Sequence, residues 1–406
     1  MSEAISRARS GIDWRLLLLL GMLAACGPLS VDMYLPSLPA IAKAFVVDEG
    51  AAQLTLTTYM FGFAVGMLLY GPLSDAYGRR PILLIGVGLY VVATLACALA
   101  FGIDDLTTMR FFQALGAGAA SVLARAVARD VHGPLDAART LSMMAMITAI
   151  GPLLAPLVGG QLLLLGGWRM VFVLLTLIGI AAFAAVYYRV QESWPLEKRA
   201  QNALQTSFTA YGKLLRDPLV WGHTLCGGAA FAAMFAYITA TPFVYIEYFG
   251  VSAQHYGFLF GINIVGIILG NFLNTRWVGR IGTLRIIGIA AGVSCVASFA
   301  VSLFCLTGLG GLAAIATGLF FVVGVNGVLG ANCTTDLMHR YPINAGAGAA
   351  LFGCSQFASG AIASIAVGLL SDGTPYAMGV VVGVSGVLCV IGRTMVLRLH
   401  DRPALA

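Results

Sequence analysis

The chain alternates between apolar runs of about 20 residues and short polar breaks, and runs of that length cross a bilayer as helices. Twelve are present, over residues 15–38, 52–72, 81–102, 106–127, 138–165, 168–190, 219–246, 254–275, 284–306, 309–332, 343–370 and 375–398. Turn and charge signals separate them, as at Asp48-Glu49-Gly50, at Gly102 with Asp104-Asp105, and at Asp372-Gly373-Thr374-Pro375. The longest polar stretch, residues 191–217, lies at the centre. It predicts a first bundle at 1–190, a cytoplasmic linker at 191–217 and a second bundle at 218–406. The expected fold class is an all-α membrane protein with twelve transmembrane helices in two pseudo-symmetric six-helix bundles. Residues 208–215 are weakly amphipathic, which suits a surface helix; a solvated linker is the simpler expectation.

Composition agrees. Of 406 residues, 59% are hydrophobic and 10% charged, against about 25% charged in soluble domains. The 50 glycines suit helices that pack closely in lipid. Twenty of the 23 Lys and Arg residues, from Arg7 and Arg9 to Arg402, fall in the termini or in loops after even-numbered runs. Lys43 and Arg169 lie on the other side, and Arg110 lies inside a run. The positive-inside rule then expects both termini in the cytoplasm. It also accounts for the net charge of +6 without nucleic acid. The first run begins at Leu16 and is too long for a signal peptide's apolar core. The eight cysteines occur singly in apolar segments, a pattern expecting neither disulfides nor zinc. No G-x-S-x-G, H-E-x-x-H or Walker A sequence occurs. The expectation is no enzyme, no cofactor and no ATP, with ion coupling (a proton gradient as the energy source) or a passive gradient remaining.

Two charges lie within spans. Asp32 is the only acid between Arg15 and Lys43, beside Pro36 and Pro39. A carboxylate at such depth is costly and marks function by default, and helix-breaking prolines suggest irregular backbone around a polar cavity. Arg110 lies about five residues into the fourth span. Counting about 1.5 Å per residue puts both charges at similar depth in the outer half. Burial taxes the carboxylate and a nearby guanidinium offsets that, so such a pair could exchange a proton for a ligand. The bland alternative is that Arg110 snorkels to the surface and Asp32 bonds freed backbone.

Three further features stand out. Residues 71–80, Gly71-Pro72-Leu73-Ser74-Asp75-Ala76-Tyr77-Gly78-Arg79-Arg80, place a carboxylate and two guanidinium groups at the expected cytoplasmic surface. Asp75 there either caps a helix or pairs with an arginine; a plain positive-inside turn is equally open. Gly151-Pro152-Leu153-Leu154-Ala155-Pro156-Leu157-Val158-Gly159-Gly160 should kink the fifth span and admit a neighbour closely, for packing or for transport. Polar or aromatic candidates for a substrate cavity are Tyr34, Tyr59, Gln113, Phe231, Tyr237, Asn263, Asn332 and Gln356, with Asn326. Each polar one could equally serve an interhelical hydrogen bond, and the patch of Phe231, Met234, Phe235 and Tyr237 could equally face lipid.

A weak repeat supports two halves. Residues 71–80 match Gly270-Asn271-Phe272-Leu273-Asn274-Thr275-Arg276-Trp277-Val278-Gly279-Arg280 in a Gly, a polar residue four on, then Gly-Arg. Two six-helix halves around a midplane site is a transporter plan.

These residues resemble the major facilitator superfamily over essentially the whole chain. Residues 71–80 look like its loop 2–3 signature. Arg110-Phe111-Phe112-Gln113-Ala114-Leu115-Gly116-Ala117-Gly118 is similar to its helix-4 motif, with Ala114 where Gly is usual. Residues 151–160 resemble its helix-5 antiporter motif, with an extra Pro156. Asp32-Met33-Tyr34-Leu35-Pro36-Ser37-Leu38-Pro39, Ala124-Arg125-Ala126-Val127-Ala128-Arg129-Asp130, Trp168-Arg169-Met170-Val171-Phe172 and Thr241-Pro242-Phe243-Val244-Tyr245 resemble the bicyclomycin and chloramphenicol resistance (Bcr/CflA) family of drug:proton antiporters.

The resemblance implies efflux of small amphipathic compounds across the bacterial inner membrane, by a monomer whose partners are a drug, protons and lipid. It implies Asp32 as proton acceptor and Arg110 as its charge partner. It implies a gate at Gly71, Asp75, Gly78, Arg79 and Arg80, with Arg125 grouped there, and an antiporter motif at Gly151, Pro152, Pro156, Gly159 and Gly160. Two other classes stay open: a proton symporter or facilitator importing a nutrient, and a membrane sensor or scaffold that moves nothing.

Overall fold

The computed structural model describes residues 13–131, 134–199 and 202–400; Arg7, Arg9 and Arg402 lie outside them. Twelve helical segments are long and apolar enough to cross a membrane, one for each apolar run. The first half holds α1 (Trp14–Asp32), α2 (Leu38–Phe45), α3 (Glu49–Tyr77), α4 (Arg79–Ala98), α5 (Ile103–Val131), α6 (Pro134–Gly166) and α7 (Arg169–Arg189). After the short α8 (Ala203–Leu214), the second half holds α9 (Pro218–Thr241), α10 (Ala253–Ile281), α11 (Thr283–Thr307), α12 (Gly311–Gly324), α13 (Asn326–Arg340), α14 (Ala345–Leu370) and α15 (Tyr376–Leu399). α1 with α2, and α12 with α13, each make one span.

Local chemistry sets the helix starts. Orphan N–H groups of a first turn need acceptors. The Asp13 side chain takes Arg15 N and Leu16 N, Asp48 takes Ala51 N, and Asp217 takes Leu219 N just ahead of Pro218. The turn at Asp372 forms as its sequence suggests. Thr374 donates to Asp372 through Oγ1 (2.6 Å) and N (2.9 Å), which holds that exposed carboxyl below its usual range.

The helices run further than the apolar residues do, because backbone bonding continues into polar sequence. Residues 71–80 are therefore not a loop: α3 persists to Tyr77, and the chain turns on Gly78 alone (φ 101°) before α4. Only a glycine adopts that backbone cheaply. In the second half the same part belongs to Gly282 (φ 81°), which separates α10 from α11. Both preceding helices are 29 residues long. The repeat thus pairs Gly78 with Gly282, and Gly279, its expected counterpart, is helical.

The first and seventh spans are both irregular. α1 ends at Asp32, a 3₁₀ turn follows at Leu35–Ser37, and α2 completes the span. α9 gives way at Pro242 to a π-helical segment, Pro242–Tyr248. Corresponding breaks in two halves point to a central site.

The halves meet where α3 packs on α14 and α6 on α10. Met60 and Met67 of α3 lie where side chains on Gly360 and Gly353 of α14 would be, so flexible thioethers fill the seam. At one end, Lys43 bonds Glu247 at 2.8 Å and Ser371 Oγ donates to Glu49 Oε2 at 2.6 Å. At the other, Tyr211 of α8 donates to Leu68 O at 3.2 Å. α8 is consequently not freely solvated. Tyr211 and Leu214 are buried in a cluster with Leu351 and Phe352 of α14.

Candidate functional site

A cavity of about 220 Å³ lies between the halves. The first half supplies Gly27, Pro28, Val31 and Asp32 from α1, Tyr59 and Phe63 from α3, and Pro152 from α6. The second supplies Phe231, Met234, Phe235 and Ile238 from α9, Phe260, Ile264 and Ile267 from α10, and Phe357 from α14. Asp32 is the one charged group on this wall. Three rings from three helices converge there: Phe357 lies 4.5 Å from Phe63 and 5.0 Å from Phe231. Large faces and one ionic group make a pocket for a mainly apolar molecule.

Arg110 does not pair with Asp32. Its guanidinium is fully buried, which rules out snorkelling. Nη1 donates to Ser30 O (2.9 Å) and Gln113 Oε1 (2.7 Å). The bond to Ser30, two residues before Asp32, puts both charges at one level, as the residue count expects. The guanidinium packs on aromatic rings instead. The Arg110 guanidinium lies 4.2 Å from the Tyr59 ring centroid and 4.4 Å from that of Tyr34, with Phe172 at 5.9 Å. A desolvated cation–π contact is worth about 2 kcal/mol, so the rings supply part of what a carboxylate would. Nε and Nη2 remain without hydrogen-bond partners.

Of the eight cavity candidates, Tyr59 and Phe231 line the wall. The other six do not, and five of them are bonded elsewhere. Tyr34 OH bonds Thr55 Oγ1 at 2.6 Å while its ring covers Arg110. Gln113 fixes Arg110 and donates to Thr94 Oγ1 at 3.0 Å. Asn263 donates to Tyr237 OH at 2.8 Å, tying α10 to α9. Asn332 donates to Asn274 Oδ1 at 2.8 Å, and Gln356 lies beside Gly330. Asn326 donates to Met234 Sδ. Phe63, Phe260 and Phe357 escaped a search for polar groups. Helical spacing is the signal that finds them: Phe231, Met234, Phe235 and Ile238 share one face, as do Phe260, Ile264 and Ile267.

At the Gly78 turn, Asp75 pairs with Arg79 instead of capping α4. Arg79 Nη1 reaches Asp75 Oδ1 and Ser74 Oγ, each at 2.5 Å, and Nε reaches Asp130 Oδ2 at 2.8 Å. Arg80 turns away to Tyr187 O (2.9 Å). Arg125 bonds Ser121 in its own helix (3.0 Å) and stands apart from this cluster. Gly71 has open space around it. Asp130 at the end of α5 joins the cluster, and so, unexpectedly, do Glu192 and Trp194, because residues in a polar linker read as solvated.

In the fifth span, Pro152 and Pro156 do not interrupt α6. A side chain on Gly159 would strike Met33 O, and one on Gly160 would lie 2.6 Å from Ala253 O. Both glycines let backbone approach, Gly159 at the break after Asp32 and Gly160 across the seam.

Comparison with known proteins fits this geometry. The Major Facilitator Superfamily model matches residues 20–364. The chain is 38% identical over 372 residues to the uncharacterized MFS-type transporter YdgK of Bacillus subtilis (strain 168), covering 91% of this chain and 92% of that protein. It is 32% identical to the bicyclomycin resistance protein homolog of Haemophilus influenzae, covering 92% and 94%. Among solved structures, a D-xylose-proton symporter superimposes with a TM-score of 0.74 at 18% identity, covering 95% of this chain and 97% of that one. The chain therefore belongs to the major facilitator superfamily, in its Bcr/CflA branch, and is a transporter and not an enzyme.

Proposed function

We propose that this protein exports small, amphipathic compounds, antibiotics among them, in exchange for protons across the bacterial inner membrane. The observation that carries the reading is Asp32, 5% exposed, the single ionic group on an aromatic cavity between two halves. A proton and a ligand that compete for one carboxylate are coupled without further machinery. With a proton on Asp32 the cavity wall is neutral and releases its ligand outward. With the proton lost to the cytoplasm, the carboxylate receives the next ligand. Rocking about the α3–α14 and α6–α10 seams exposes the cavity alternately to each side. Arg110 is held in place beside the cavity by Ser30, Gln113 and the rings of Tyr34 and Tyr59. The resistance-protein relative supports the compound class.

Everted vesicles with an acid interior and a pH dye test this, challenged with antibiotics and cationic dyes. Drug-induced proton release is expected in wild type and absent in Asp32→Asn. Retained proton-driven efflux in Asp32→Asn would sink the assignment.

A further inference from the structure

The segment that follows α7 grips the Gly78 turn from outside the spans. Glu192 Oε1 accepts from Arg79 N at 2.9 Å and from Trp194 N at 3.0 Å. Arg79 N opens α4 and has no partner within its own helix, so a carboxylate there caps α4 with the favourable charge. Trp194 Nε1 donates to Asp75 O at 3.2 Å, a carbonyl in the last turn of α3. The Trp194 ring lies 4.7 Å from the Arg79 guanidinium. Ser193 Oγ reaches Asp130 Oδ2 at 3.4 Å, and Arg199 pairs with Glu192 at 3.5 Å. One short segment thus caps both helices that meet at Gly78 and covers the arginine between them. Gly78 also makes room for it: a side chain there would collide with Glu192 and Arg199. Beyond, α8 crosses the seam, bonded to α3 through Tyr211 and Leu68 and packed on α14.

We infer that Glu192 and Trp194 are positioning residues for Arg79, and that the linker is a clasp through which movement of the second half loosens or sets the Asp75–Arg79–Asp130 cluster. The inference rests on the proposed gating part of that cluster. The clasp is set in the arrangement described here. Displacement of α14 from α3 drags α8, strips the ring and carboxylate from Arg79, and frees the arginine's remaining bonds to rearrange.

Spin labels on Tyr77 and Met338, exposed near the ends of α3 and α13, test this by pulsed electron resonance in liposomes, with the native cysteines replaced. Wild type should show one dominant distance. Trp194→Ala and Glu192→Ala should each shift the ratio of distance populations by about five-fold, the effect of roughly 1 kcal/mol. Trp194→Phe keeps the ring face and should restore most of the wild-type distribution. Arg79→Gln should shift it as well. Unchanged distances in both linker variants, with Arg79→Gln shifted, overturn the clasp alone, even if melting temperature falls. An unshifted Arg79→Gln overturns the gate and the clasp together.

Discussion

The Arg110 guanidinium lies 4.2 Å from the ring of Tyr59, and Tyr59 shares the cavity wall with Asp32. Among the described residues, Arg110 and Asp32 form neither a hydrogen bond nor an ion pair. Asp32 thus stands on the cavity wall with no ion-pair partner among the described residues.

Arg110→Lys should behave as a severe substitution. Lysine has no planar face for Tyr34 and Tyr59 and no fork for Ser30 and Gln113. A loss of about 2–4 kcal/mol follows from two desolvated ring contacts, read as a lower melting temperature in detergent. Drug-driven proton release should fall in parallel.

Tyr59→Phe keeps the ring and loses the hydroxyl's bonds, that to Gly27 O among them. It should cost about 0.5–1.5 kcal/mol and leave coupling near wild type. Tyr59→Ala should abolish coupling. A vesicle proton-release assay on the two side by side checks that the ring face is what matters.

The glycines of the two motifs should separate into three grades. Gly71→Ala meets open space in a helix and should stabilise by about 0.5–1 kcal/mol. Gly78→Ala forces a side chain into left-handed backbone, a cost of about 1–2 kcal/mol, and also displaces Glu192. Gly159→Ala overpacks against Met33 O and should cost about 1–3 kcal/mol. Thermal unfolding of the three variants in one detergent measures the order.

Lys43 and Glu247 form an exposed pair worth at most about 1 kcal/mol. Lys43→Ala should hardly change stability. Cysteines at both positions, joined by a bifunctional maleimide, should stop transport, and a cleavable linker should restore it on reduction. Transport by the joined protein would show that this end need not open.

Much of the architecture was legible because water and hydrocarbon sort residues so strongly. Twelve apolar runs gave twelve spans, and Asp32 announced itself by its cost. The sequence misled where hydrogen bonds ignore hydropathy. α3 and α10 run on through polar residues, so the turn falls at Gly78 and Gly282, and a repeat read by letters alone selects Gly279. The cavity was misjudged for a related reason. Tyr34, Gln113 and Asn263 are polar and buried, and they bond Thr55, Arg110 with Thr94, and Tyr237; much of the wall consists of rings whose facing is encoded only in helical spacing. Trp194 and Glu192 could not be placed because their partners are about 115 residues away, at Asp75 and Arg79.

The cavity wall is unevenly shared. Asp32 and the tyrosine beside it on the wall, Tyr59, come from the first half, whereas the second half contributes aromatic and aliphatic surface without a single charge. On the proposed reading, fuel and cargo are separate inheritances. Substitutions in α9, α10 and α14 can remodel which molecule fits while the carboxylate, its buried arginine and the energy source stay as they are. A lineage exposed to a new toxin then has a short evolutionary path to it, and a hybrid that borrows only the second half of a relative should inherit that relative's spectrum and keep its own coupling.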